Sequence, residues 1–337
     1  MRALVFHGPW QMTVEDRPEP PVGATDTLVE VIATGICGSD LHGYTGENGR
    51  RHPGQVMGHE TVGRVLEDRT GTHRVGGLVT VNPVLGCRSC PKCAQGMPHR
   101  CPSRRVIGVD PAISAAFAER MAVPAHNIVP LPDGTPAEVG SLIEPLAVGY
   151  HAIAQGGPVP DTVYVVGGGP IGQAAAIAAR RVGSSTVVVA ELAPARRGLL
   201  TRLGFIAVDP ERQSAEEVKE TLGGPPELVI DAVGTSRTLR DALDISALGG
   251  RIVLVGMGTP TVELAAYAVS TGERSIIGSF SYDEAAFRDT AVWAAAHAAD
   301  LDPLIERRIG LAEAPGAFRS LAEGTLAASK ILVYPAQ

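Results

Sequence analysis

The 337-residue chain is too long for one comfortable core and points to two domains, each large enough to fold without disulfides. Its formal net charge of −7 is mild and scattered, with no run of Lys or Arg to neutralise phosphates or an anionic membrane surface, so neither nucleic acid nor membrane is an expected partner. Of 29 basic residues only Lys92, Lys219 and Lys330 are lysine, a compositional bias to which the sequence attaches no function.

Residues 1–9 hold no long apolar core followed by a small-residue cleavage site, so the cytoplasm is the expected location. Residues 35–42 read Gly-Ile-Cys-Gly-Ser-Asp-Leu-His, and Gly58-His59-Glu60 follows. Cys37, His59 and an acid such as Glu60 supply a thiolate, an imidazole and a carboxylate, and a catalytic zinc needs three protein ligands and one open position. Taken singly, each also has an ordinary packing or surface explanation. Asp40 is suited to orient the far nitrogen of His59.

The remaining cysteines form Cys87-x2-Cys90-x2-Cys93-x7-Cys101, a spacing that lets a turn-rich lobe at about 86–102 wrap four thiolates around a closed structural zinc. His99 is an alternative to Cys101 as fourth ligand. Two disulfides would leave the fifth cysteine over and need an oxidising compartment.

From Thr162 a β-rich apolar run leads into Gly167-Gly168-Gly169-Pro170-Ile171-Gly172 and then an Ala-rich helical stretch to Arg181. The apolar residues 163–179 are interrupted by these glycines, Pro170 and Gln173, so they read as a buried strand and helix, not a membrane span. Gly167 and Gly169 allow the turn and close approach to a pyrophosphate, Gly172 allows helix–sheet contact, and Pro170 and Ile171 open the helix whose N–H groups face the anion. A second strand, 186–190, ends on Glu191, about twenty residues after the loop, where an acid bonds the ribose hydroxyls of NAD. Arg196 and Arg197 follow, and an arginine there accommodates the 2′-phosphate of NADP. Strands at 228–233 and 251–256, with a helix at 237–248 between them, predict an α/β Rossmann domain with a doubly wound parallel sheet over 147–280.

Cys37, Ser39, His42 and Gly58-His59-Glu60, the four-cysteine lobe and the dinucleotide loop, in that order, resemble the zinc-containing medium-chain alcohol dehydrogenase family. The segment Glu144-Pro145-Leu146-Ala147 resembles its polyol and sorbitol dehydrogenase branch, because it puts a carboxylate where other branches carry a third cysteine ligand. Threonine dehydrogenases share that Glu. The resemblance implies a mostly β, GroES-like catalytic domain over 1–146, to which the chain returns at 281–337. It also implies one catalytic and one structural zinc per chain, NAD as cofactor, and a homodimer or homotetramer. Where the family has Gly-Asp-Arg-Val, residues 75–79 read Val-Gly-Gly-Leu-Val, which changes the expected turn.

The expected reaction is oxidation of a secondary alcohol carrying neighbouring hydroxyls, a polyol or cyclitol, with hydride passing to NAD. The resemblance assigns Ser39 to accept the alcohol proton and His42 to pass it to solvent through the cofactor ribose. Glu60 and Glu144 each remain able to ligate zinc directly or through its water. The other readings are a threonine or amino-alcohol dehydrogenase, and a non-catalytic dinucleotide-binding module, against which the complete ligand set argues. His7, His52, His73, His126, His151 and His297 match no motif.

Overall fold

The structure, a computed structural model, describes residues 1–47, 49–326 and 328–337. The chain divides into two compact units, Met1–Glu144 with Asp283–Gln337, and Pro145–Tyr282.

In the first unit the elements that matter are β1 (Asp26–Gly35), α1 (Gly38–Thr45), β2 (Glu60–Asp68), β3 (Leu78–Val81), β4 (Arg120–Pro124) and β5 (Ile128–Pro130). Along β1 the residues Thr27, Val29, Val31 and Ala33 are buried while Glu30 between them is exposed, the period-two pattern of a strand with one face on a core. Helix α1 starts at Cys37, whose N–H donates to the Asp40 carboxylate at 3.2 Å, and it ends at Gly46 in the left-handed region, φ +84°. The turn before β3 pairs with β2 through backbone bonds, Gly76 N–H donating to Val65 O at 2.7 Å and Val65 N–H to Gly77 O at 3.1 Å, and through the Arg64 side chain, which donates to Gly76 O at 3.1 Å. Earlier in the same connection the Asp68 carboxylate accepts the His73 N–H at 2.7 Å.

Helix α2 (Ile143–Gln155) carries the chain from Glu144 into the second unit. That unit holds β6 (Thr162–Val166), α3 (Pro170–Arg181), β7 (Thr186–Ala190), β8 (Ile206–Val208), β9 (Leu228–Asp231), α4 (Ser236–Ile245), β10 (Arg251–Leu254), α5 (Ala266–Thr271) and β11 (Ser275–Gly278). The six strands form one parallel sheet in the order β8-β7-β6-β9-β10-β11, a doubly wound sheet that reverses direction beside β6. Val163 and Val165 pack into a cluster with helix α3, while Tyr164 and Val166 pack with α4. Burial on both faces explains why these strands read as unbroken apolar runs. Strand β9 stops two residues earlier than the apolar run suggests, because Asp231 turns the chain by accepting the N–H groups of Val233 and Gly234, each at 2.9 Å. Helix α4 stops at Ile245, short of Leu248, which is 78% exposed.

The chain returns to the first unit at Asp283 and later adds β12 (Ile305–Gly310) and β13 (Lys330–Tyr334). Its large sheet runs β5-β3-β2-β1-β13-β12, with β4 also on β1. This order places β1 between β2 and β13, with Gly35 paired to Glu60 on one side and to Leu332 on the other.

Candidate metal centres and dinucleotide loop

Two groups among the described residues bring together side chains able to hold a metal ion: Cys87, Cys90, Cys93 and Cys101, and separately Cys37, His59 and Glu60. Within each group the ligand atoms all lie within 4.8 Å of one another.

The four-cysteine lobe is shaped by its own backbone. Cys90 caps the short helix Pro91–Ala94 and its Sγ accepts the Cys93 N–H at 3.5 Å, while Cys101 Sγ accepts the Cys87 N–H at 3.4 Å. Bonds from the Ser89 hydroxyl and backbone bring the Cys87 thiol down to about 6, whereas burial, with the other thiols, pushes Cys93 up to about 12. Four sulfurs this close cannot all ionise without a cation among them, so the donor set fits a closed zinc site. His99 is buried in the same lobe and lies outside the group of ligand atoms.

At the second group, Cys37 follows the end of β1 as the cap of α1, His59 immediately precedes β2 and Glu60 begins it. His59 and Glu60 are buried and Cys37 is half-buried. His59 Nδ1 lies 3.5 Å from Asp40 Oδ1 in a fully buried pair. Burial opposes the charged imidazole, but Asp40 and Cys37 override it and hold the His59 pKa well above its usual value. Asp40 is correspondingly lowered against its burial, with His59 and Arg51 as the cations responsible. A buried imidazole set between a cysteine sulfur and a carboxylate is a place where a divalent ion can take the place of a proton. Glu144 is buried at the start of α2 but is not in the Cys37 group.

Two cations not read as part of this site frame it. Lys330, 2% exposed on β13, donates from Nζ to Glu60 Oε2 at 2.6 Å, Glu60 Oε1 at 2.7 Å and the Ile36 carbonyl at 3.3 Å. Its stem passes over Gly35, where a Cβ would stand 2.0 Å from Glu60 Oε2 and 3.0 Å from Lys330 Cδ. Only glycine leaves that path open. Burial disfavours the ammonium, yet Glu60, Cys37 and, more weakly, Glu144 raise the Lys330 pKa. Arg51, also buried, donates to the Ser39 carbonyl at 3.3 Å and lies 3.8 Å from Asp40 Oδ1. The one signal for Lys330 in the sequence is its rarity in an arginine-rich chain.

Ser39 and His42 are three residues apart on α1 and so share a face. His42 is half-exposed, with Nδ1 2.5 Å from Glu47 Oε2. Of the unassigned histidines, His7 bonds Thr13, His73 bonds the Ala125 carbonyl and His297 bonds the Trp293 carbonyl. His52 and His126 are exposed and His151 is buried.

In the second unit the glycine loop follows β6 and Gly169 caps α3, with Pro170 in its first turn. A Cβ at Gly172 would stand 1.7 Å from Gly167 O, so the helix can approach the strand only with glycine there. The space beside Gly169 is open. Ile171 follows Pro170 in the first turn of α3. Gln173, which the sequence treats only as an interruption of the apolar run, donates to Gly168 O at 2.7 Å and braces the loop. Glu191 accepts the Gly168 N–H at 2.9 Å and the Ala193 N–H at 2.8 Å. Arg196 Nη1 lies 3.8 Å from Glu191, while Arg197 is tied to the Glu191 and Leu192 carbonyls and to Asp209.

Two family models match the chain: the alcohol dehydrogenase GroES-like domain over 23–133 and the zinc-binding dehydrogenase over 170–296. The chain is 32% identical to the L-galactonate-5-dehydrogenase of Escherichia coli (strain K12) over 83% of both chains. It is 31% identical to an L-threonine 3-dehydrogenase of Mesorhizobium japonicum over 78% of both. Among solved structures, galactitol-1-phosphate dehydrogenase from Escherichia coli superposes with a TM-score of 0.89 at 25% identity, covering 99% of this chain and 100% of that one.

Proposed function

Because the chain belongs to the zinc-containing medium-chain alcohol dehydrogenase family, we propose that it oxidises a secondary alcohol flanked by further hydroxyls, a polyol or cyclitol, to the ketone with NAD as hydride acceptor. The observation that carries this reading is the Cys37, His59 and Glu60 group: a thiolate, an imidazole and a carboxylate converging at one buried point. A zinc ion held there supplies Lewis acidity, which makes an alcohol hydroxyl easier to deprotonate. Asp40 fixes the orientation of His59. Ser39 accepts the substrate proton, and His42, half-exposed and paired with Glu47, delivers it to solvent. The four-cysteine lobe holds the second, structural zinc.

In the second unit Gly167, Gly169, Pro170, Ile171 and Gly172 hold the pyrophosphate at the α3 N-terminus, and Glu191 takes the ribose hydroxyls of NAD. Arg196 lies against Glu191 and helps shape that subsite. The polyol assignment is supported by relatives named for a sugar acid and a sugar alcohol phosphate, L-galactonate-5-dehydrogenase and galactitol-1-phosphate dehydrogenase. A pocket shaped for several substrate hydroxyls discriminates against a simple alkanol, at about 1–3 kcal/mol for each hydrogen bond lost.

Five free cysteines committed to two metal sites suit a reducing compartment, so we place the protein in the cytoplasm. No helix among the described residues is long and apolar enough to cross a membrane. We further propose a homodimer formed through the open edge of the parallel sheet at β11.

The test compares kcat/KM for polyols, cyclitols, sugar acids, threonine, and primary and secondary alkanols with each nicotinamide cofactor. Polyols or sugar acids should exceed alkanols by about ten-fold or more. A preference for threonine, the second reading favoured by the Mesorhizobium relative, or for a simple alkanol would overturn the substrate assignment.

A further inference from the structure

Lys330 belongs to no motif, yet it is a buried cation beside the Cys37 group, and its surroundings are built for it. A lysine ammonium has three N–H donors, and three acceptors meet them: both oxygens of Glu60 and the carbonyl of Ile36. Three adjacent strands produce the arrangement, with Lys330 on β13 reaching across Gly35 of β1 to Glu60 at the start of β2. In a chain that uses arginine almost everywhere, a compact point charge stands here in place of a planar fork.

Glu60 is also one of the three side chains whose ligand atoms converge. A metal ion and an ammonium therefore compete for one carboxylate. A divalent ion with one thiolate and one carboxylate is neutral, and Lys330 adds a positive charge that Glu144, whose field also reaches it, offsets. We propose that Lys330 is a positioning residue of the Cys37–His59–Glu60 centre, holding both oxygens of Glu60 so that the carboxylate is a weakened zinc ligand and the metal keeps a place for the substrate hydroxyl. The inference rests on the zinc reading of this site given above.

Competition predicts a sign that loss of packing does not. A residue that merely supports the fold loosens the metal when it is removed, whereas a rival cation tightens it. In Lys330→Met and Lys330→Gln, the zinc at the Cys37 centre should resist chelator competition better than in the wild type, by a factor on the order of ten. The visible spectrum of cobalt-substituted protein should change as Glu60 becomes a full ligand, and kcat should fall more than KM changes. Adding Glu60→Gln to either variant should abolish the gain, because the cycle isolates the Lys330–Glu60 coupling. Equal or weaker metal retention in both variants with an unchanged cobalt spectrum overturns the proposal. So does failure of both variants to fold in the presence of zinc, which would assign Lys330 to folding alone. If wild-type protein binds only one zinc, and Cys37→Ser leaves that count unchanged, the zinc reading itself falls.

Discussion

Glu191 has both carboxylate oxygens on backbone N–H groups, one in the glycine loop and one in the turn after β7, so it shapes the dinucleotide loop as well as carrying its charge. Glu191→Gln keeps an acceptor for the loop and removes the repulsion of a 2′-phosphate. The ratio of kcat/KM with NAD to that with NADP should fall about ten-fold in the variant, and an unchanged or larger ratio would refute the charge argument. At this scale legibility followed sequence distance. Cys87, Cys90, Cys93 and Cys101 declare a common ligand by spacing, and His59 and Glu60 are neighbours in the chain. Lys330 meets Glu60 across 270 residues, and Arg51 meets Ser39 through a side chain folded back under α1, so nothing local marks either contact. Gln173 was visible as a polar break in an apolar run but not as the brace of the loop.

At the level of elements, the 3-10 turn Ala137–Leu142 is joined to β12 and β13 by one cluster. Arg308 donates to Glu138 Oε1 at 2.9 Å and Oε2 at 2.6 Å, and the Tyr334 hydroxyl donates to the same carboxylate. The Arg308 guanidinium holds Glu138 below the usual carboxylate range. A depressed carboxylate stabilises the fold above the unfolded value, about 4.3, and that stability is lost as pH falls through the lower folded value. Glu138→Gln should therefore cost below about 1 kcal/mol at neutral pH, since the pair is partly exposed, and the gap should close in acid. Thermal melts of both proteins from pH 7 downward check this, and a gap that persists or widens in acid contradicts it. Sequence periodicity located β6, β7, β9 and β10, the four central strands of the second unit, because burial on both sides leaves unbroken apolar runs, and it missed the short outer strands β8 and β11. It overshot the ends of β9 and α4, since Asp231 and the exposed Leu248 set those ends through turn bonds and solvent contact, not hydropathy.

For the molecule as a whole, the parallel sheet ends at β11, which among the described residues pairs with β10 alone and leaves its other edge open. Nearby, Leu264 is 50% exposed and Tyr267 on α5 is 87% exposed. An open edge flanked by apolar side chains is a template for pairing, and a second copy related by a two-fold axis satisfies both edges at once. Tyr267→Asp should shift the protein toward monomer in sedimentation or light scattering, and an unchanged assembly state would place the interface elsewhere. Two domains are expected from chain length and the return of the chain to its first unit is what the family resemblance implies, whereas the strand order that puts β13 beside β1 is not legible, because it depends on pairing between distant segments. That order has a biosynthetic consequence. Residues 145–282 can close into their own sheet as soon as they leave the ribosome, but the first unit stays open until β13 is made and slots in beside β1. During that interval Glu60 has no ammonium beside it, so a metal ion captured by the nascent chain meets a stronger ligand than the finished protein offers.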